Sequence, residues 1–169
     1  MTAKIITNIA LIISLAGIQI FFISSLPGWL ANLNLVLVVL IIILGFLKFD
    51  YAIWWSVGAG MILEIFSFLP FGTFLFSLSL TILAANILLN YFFTNRSLYS
   101  FLALVALATV IYKLIIRLIT FIFAESAGNA WQSTLKQIGL NLLFTFFIFY
   151  LVHFFSRNFK PEFLIHPVK

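Results

Sequence analysis

Cysteine is missing from the chain altogether, which excludes disulfides, thiolate metal sites and a cysteine nucleophile, and leaves the redox compartment unreadable. Charge is scarce too: 8% of the 169 residues are Asp, Glu, Lys or Arg, where a soluble domain carries roughly 25%. Only four residues are acidic, and the two histidines, His153 near the inner end of the last run and His166 in the tail, are isolated from each other. No Walker loop, dinucleotide-binding glycine pattern, H-E-x-x-H or nucleophile elbow is present, so neither an enzyme nor a bound cofactor or metal is expected. The net charge of +5 comes from basic residues scattered singly. They make no patch for nucleic acid.

What is there suits lipid. Hydrophobic residues make up 64% of the chain, 22 of them Phe, and the mean hydropathy is +1.25. A spanning helix needs about 20 mostly apolar residues, and the breaks at "SSLPGW", "KFDY", "LPFG", "TNRS" and "FAESAGNAW" leave six such runs. They lie near residues 5–23, 30–47, 51–69, 72–93, 98–124 and 133–155. The expected fold is therefore all-α: one integral membrane domain over residues 1–169, built as a compact bundle of six transmembrane helices. The first run is too long for a signal-peptide core and lacks an A-x-A-like cleavage site, so it reads as a retained anchor.

Lys4, Lys48, Arg96, Arg157, Lys160 and Lys169 fall on one side of a six-span arrangement, and the other side holds only Glu125 and Lys136. By the positive-inside rule both termini are expected in the cytoplasm. Tyr51, Trp54, Trp55, Tyr91 and Tyr99 then mark the inner boundary, and Trp29 and Trp131 the outer one.

Polar residues inside a membrane should face protein or water, and their spacing bears this out. Ser56, Gly60, Glu64 and Ser67 share a face of the third run, and Thr109, Lys113, Arg117 and Thr120 a face of the fifth. Gln137, Asn141 and Thr145 do so on the sixth, and Ser79, Asn86 and Asn90 on the fourth. Glu64 lies about 8 Å and Arg117 about 10 Å from the outer ends of their helices, which makes them level, with Lys113 one turn deeper and Asn141 alongside. Three readings stand open for this cluster: Glu64 and Arg117 neutralise each other and fix register, the four residues form a ligand or ion site, or the charges snorkel separately. Ser56, Gly58 and Gly60 also make a small-residue surface that another backbone could approach.

The stretch "GAGMILEIFSFLPFG" resembles the central motif of MreD, the family of bacterial rod shape-determining membrane proteins, at Gly58, Gly60, Leu63, Glu64, Ser67, Pro70 and Gly72. The family more often has Asp at the position of Glu64, so the carboxylate is kept, and it often has an acid near the position of Lys113. The resemblance implies a non-catalytic adaptor of the cell-elongation machinery in the bacterial inner membrane. Its implied partners are an MreC-like membrane protein and, directly or indirectly, MreB-type filaments and a RodA-type polymerase complex, within the lipid bilayer. The rival reading is the six-helix substrate-binding component of an energy-coupling-factor vitamin transporter. Such components commonly carry A-x-x-x-A on the first helix, whereas here Ala10 and Ala16 are six apart.

Overall fold

A computed structural model describes residues 2–93, 97–123 and 130–158. These residues are helical with no strand among them: α1 Thr2–Gly17, continued by a wider π-helical segment Ile18–Ile23, then α2 Leu35–Phe46, α3 Phe49–Ile65, α4 Thr73–Tyr91, α5 Leu98–Phe123 and α6 Ala130–Asn158. Four stretches are long and apolar enough to cross a membrane: Ile5–Ile23, Thr73–Tyr91, Leu98–Phe123 and Trp131–Leu151. A multi-pass membrane protein follows. Arg96, Glu125, Lys160, Lys169 and His166 lie outside the described residues, as do the side chains of Lys4, His153 and Arg157.

Within the run expected as a span at 30–47 the helix is shorter than the run. Helix α2 begins only at Leu35 and has 12 residues, or roughly 18 Å against a hydrocarbon core of about 30 Å. Ahead of it the chain turns at Gly28, in the left-handed region at φ +65°, and makes one 3-10 turn over Leu30–Asn32. Helix α3 is also shorter than expected: its 17 residues end at Ile65, and residues 66–72 form a turn rather than helix.

The short helix is the axle of the bundle. Val36, Leu37, Val38, Leu40 and Ile41 are all fully buried, and α2 packs against α3, α4, α5 and α6. A helix apolar on every side belongs in such a position. Near its end a methyl group at Gly45 would overlap the Phe101 ring of α5, so glycine is what lets the two helices close. Phe101 stacks on Phe46 at 5.3 Å between ring centroids and tilts against Phe149 of α6 at 5.8 Å, tying three helices together. Helix α1 lies outside this core. It touches α3, where Ile12 meets Gly58, but only 6% of its spanning window is buried, against 28–33% for α4, α5 and α6.

Tyr51, Trp54, Tyr91 and Tyr99 are exposed near one end of the bundle and Trp29 and Trp131 at the other, while Trp55 is half-buried. Rings with a polar tip take such places at a membrane boundary.

Candidate functional site

Every helix leaves its first amides without an intrahelical partner, and in a low-dielectric interior each such group costs several kcal/mol unless something bonds it. Both α2 and α4 begin at buried residues, so both starts need partners.

At α4 the partner is Glu64. Its Oε1 accepts from the Thr73 amide at 3.2 Å, and its Oε2 accepts from the amides of Phe74 at 2.9 Å and Leu75 at 3.2 Å. The Phe76 amide completes the turn by donating to the Gly72 carbonyl at 2.9 Å. One carboxylate thus serves three amides, and its charge faces the positive end of the helix dipole. Gly60 makes the reach possible: a Cβ there would stand 2.8 Å from Leu75 Cα, so α3 can lie against the start of α4 only with hydrogen in that place. The intervening turn is held by its own bonds. The Ser67 amide donates to the Glu64 carbonyl, Ser67 Oγ accepts from the Leu69 amide, and Thr73 Oγ1 donates to the Pro70 carbonyl at 2.6 Å. Gly72 supplies φ +96°, which a side chain would strain. Ser56, one face-turn below Gly60, is buried and donates to the Ile53 carbonyl of its own helix.

At α2 the partners are neutral amides. Asn34 caps the helix by accepting from the Leu37 amide at 3.0 Å. Gln19, in the π-helical segment, accepts from the Leu35 amide at 2.8 Å and donates to the Leu33 carbonyl at 3.0 Å. Asn141 of α6 accepts from the Asn34 amide at 3.0 Å and donates through Nδ2 to Thr109 Oγ1 of α5 at 3.0 Å, while Thr109 donates to the Val105 carbonyl.

The expected cluster is therefore divided among different tasks. Glu64 is spent on amides, and no ion pair joins it to Lys113 or Arg117. Arg117 instead lies over the Trp131 ring at 5.3 Å, and its Nε has no hydrogen-bond partner. Lys113 is half-buried beside it. The stripes on α3 and α6 face inward; on α5 Thr109 is buried and Lys113, Arg117 and Thr120 are half-buried; on α4 Ser79 and Asn86 are half-buried and Asn90 is exposed, while the buried polar residues are Thr73, Ser77 and Thr81. Two residues that carry much of the interior, Gln19 and Asn34, were not singled out from the sequence. A lone glutamine within a 19-residue apolar run and an asparagine directly ahead of one are the signals that mark them.

Between these two capped starts lies a cavity of about 640 Å³ at the end of the bundle that carries Trp29 and Trp131. Lys113, Gln137, Tyr112, Asn32 and Ser67 contribute polar groups to its wall. Gln137 is 4% exposed, and its Oε1 bonds to nothing in the protein. Among the described residues no group of three His, Cys, Asp or Glu could hold a metal ion. No protein-family model matches the chain, and no curated protein or solved structure matches it either.

Proposed function

We propose that the protein is a non-catalytic membrane adaptor of the MreD kind, holding a single-span, MreC-like partner within a bacterial cell-elongation assembly that includes MreB-type filaments and a RodA-type polymerase. The observation that carries this reading is the convergence of the motif. Gly60, Glu64, Ser67, Pro70 and Gly72, scattered over thirteen positions, all serve one device, the turn that joins α3 to the buried start of α4. A motif that fixes architecture and leaves no free nucleophile or base beside it suits a scaffold. Helix α1 with its π-helical continuation is the expected contact for the partner, because Ile5, Ile9 and Ile13 of the first and Phe21 of the second are exposed and α1 packs mainly on α3. Association in lipid then relies on close van der Waals packing rather than on burial from water.

In this reading α2 and α3 cross as a pair, giving six spans with both termini in the cytoplasm. Because the chain has no native cysteine, a single cysteine at Lys48 can be labelled cleanly. Labelling from the cytoplasmic side supports six spans, and protection from both sides supports a re-entrant pair. The function itself is tested by co-purification with an MreC-like protein and by cell shape after deletion of the gene: capture and rounding of rod-shaped cells are expected. Loss of shape control without capture would sink the adaptor reading. The outer cavity favours a second reading, a substrate-binding transport component, which predicts a tightly bound small metabolite and no such capture.

A further inference from the structure

Lys113 and Arg117 stand one turn apart on α5, close enough to repel each other. Glu64, the one buried acid among the described residues, is already committed to the start of α4 and balances neither. Arg117 has a ring for company and an idle Nε. Lys113 lines the outer cavity, and so does Gln137, whose buried Oε1 is an acceptor without a donor. Buried polar atoms are ordinarily paired, so an idle acceptor beside an unbalanced cation describes what is missing: an anion that also carries a hydroxyl or N–H. The cavity wall continues into Phe66, Phe68 and Leu69, all exposed, with Phe68 fully so. Its mouth is therefore apolar and its depth is basic and polar.

We propose that this cavity binds a phosphate ester bearing a free hydroxyl, with the phosphate at Lys113 and the hydroxyl donating to Gln137 Oε1. A glycerophosphate unit has both groups in one small fragment. The same unit arrives either as the headgroup of phosphatidylglycerol, whose acyl chains would lie over Phe66, Phe68 and Leu69, or as a soluble ester entering from the aqueous side. Lysine suits the role because its compact charge accepts a tetrahedral anion without demanding a planar partner, and the second cation at Arg117 raises the local potential further. The proposal stands apart from the adaptor reading, since partner capture does not depend on what fills the cavity.

The test uses the full chain in nanodiscs. Native mass spectrometry measures retention of phosphatidylglycerol against phosphatidylcholine, and equilibrium binding measures soluble glycerol 3-phosphate in discs of phosphatidylcholine alone. A preference of about tenfold for phosphatidylglycerol, or saturable binding of glycerol 3-phosphate, is expected; the first identifies a lipid and the second a soluble ester. Lys113→Gln and Gln137→Leu should each abolish the preference, and Lys113→Arg should retain it. Thermal unfolding in phosphatidylcholine discs checks that each variant is folded. If Lys113→Gln does not fold, Gln137→Leu and Lys113→Arg decide the matter by the same measurement. No preference in either arm, or an undiminished preference in a folded Lys113→Gln or Gln137→Leu protein, overturns the proposal.

Discussion

The starts of α2 and α4 solve one physical problem in two ways. At α4 the solution is charged and local: Glu64 reaches nine to eleven residues ahead to the amides of the very next helix. At α2 it is neutral and distributed: Gln19, Asn34 and Asn141 come from three elements, and the bond from the Asn34 amide to Asn141 joins residues 107 apart. A local cap defines a hairpin, whereas a distributed cap defines a bundle. The expected consequence is that damage at Glu64 disrupts the α3–α4 unit severely, while damage at α2 loosens the whole assembly by smaller steps.

The largest effect should follow from Glu64→Leu. It removes an acceptor shared by three amides and leaves them facing a leucine, and hydrogen bonds to charged groups are individually worth about 1.5–3 kcal/mol. A loss of about 3 kcal/mol or more is expected in reversible unfolding. Glu64→Gln keeps one carbonyl acceptor and should cost less than half as much. Equal losses for the two variants would mean that the charge, rather than the capping geometry, matters at this position.

Asn141→Leu should come next, at about 1–2 kcal/mol, since interhelical hydrogen bonds in membranes average about 0.6 kcal/mol and two are lost here. Its unfolding should lose cooperativity among α2, α5 and α6, read by hydrogen exchange at those three helices. Protection lost at α2 alone would show that the cap is less distributed than its partners suggest. Gly60→Ala should cost about 1–3 kcal/mol, because the added methyl meets the α4 backbone and no flexible side chain can yield. Gly139→Ala is the control. Nothing lies within 4 Å of a Cβ at that helical position, so the same substitution should be neutral or stabilise by up to about 1 kcal/mol.

The difference between the two starts also explains what could be read from the sequence. Periodicity placed Ser56, Gly60 and Glu64 on one inward face, and Gln137, Asn141 and Thr145 on another, and both are buried as expected. What spacing along a helix does not contain is where a neighbouring helix begins. Residues 30–34 look apolar enough to extend a span, and only the capping role of Asn34 shows that the chain there is a turn whose amides must be met from elsewhere. The same blindness turned Glu64 toward a cation. Matching depths made Arg117 the obvious neutraliser, whereas the helix dipole of α4 supplied three oriented donors at no cost in side-chain entropy. The α4 stripe failed for a simpler reason: Asn86 and Asn90 are spaced to share a face, but the packed face is the one carrying Ser77 and Thr81.

The smallest predicted effect bears most directly on that neutralisation. If Glu64 and Arg117 were partners, replacing both would cost much less than the sum of replacing each. The geometry gives them separate partners, amides for one and the Trp131 ring for the other. A double-mutant cycle on Glu64→Gln and Arg117→Gln should therefore return a coupling energy within about 0.5 kcal/mol of zero, the range found for independent sites. The cycle on Arg117→Gln and Trp131→Leu should return a coupling near 0.5–1 kcal/mol, or somewhat more if the pair is shielded from water, as a cation over an aromatic face does. The two cycles share the Arg117→Gln variant, so any general loss from that substitution cancels between them. Strong coupling in the first cycle and none in the second would restore the ion pair and remove the distinction drawn between the two helix starts. The reverse pattern keeps Arg117 on the Trp131 ring, one turn from Lys113, which lines the cavity without an acid to balance it.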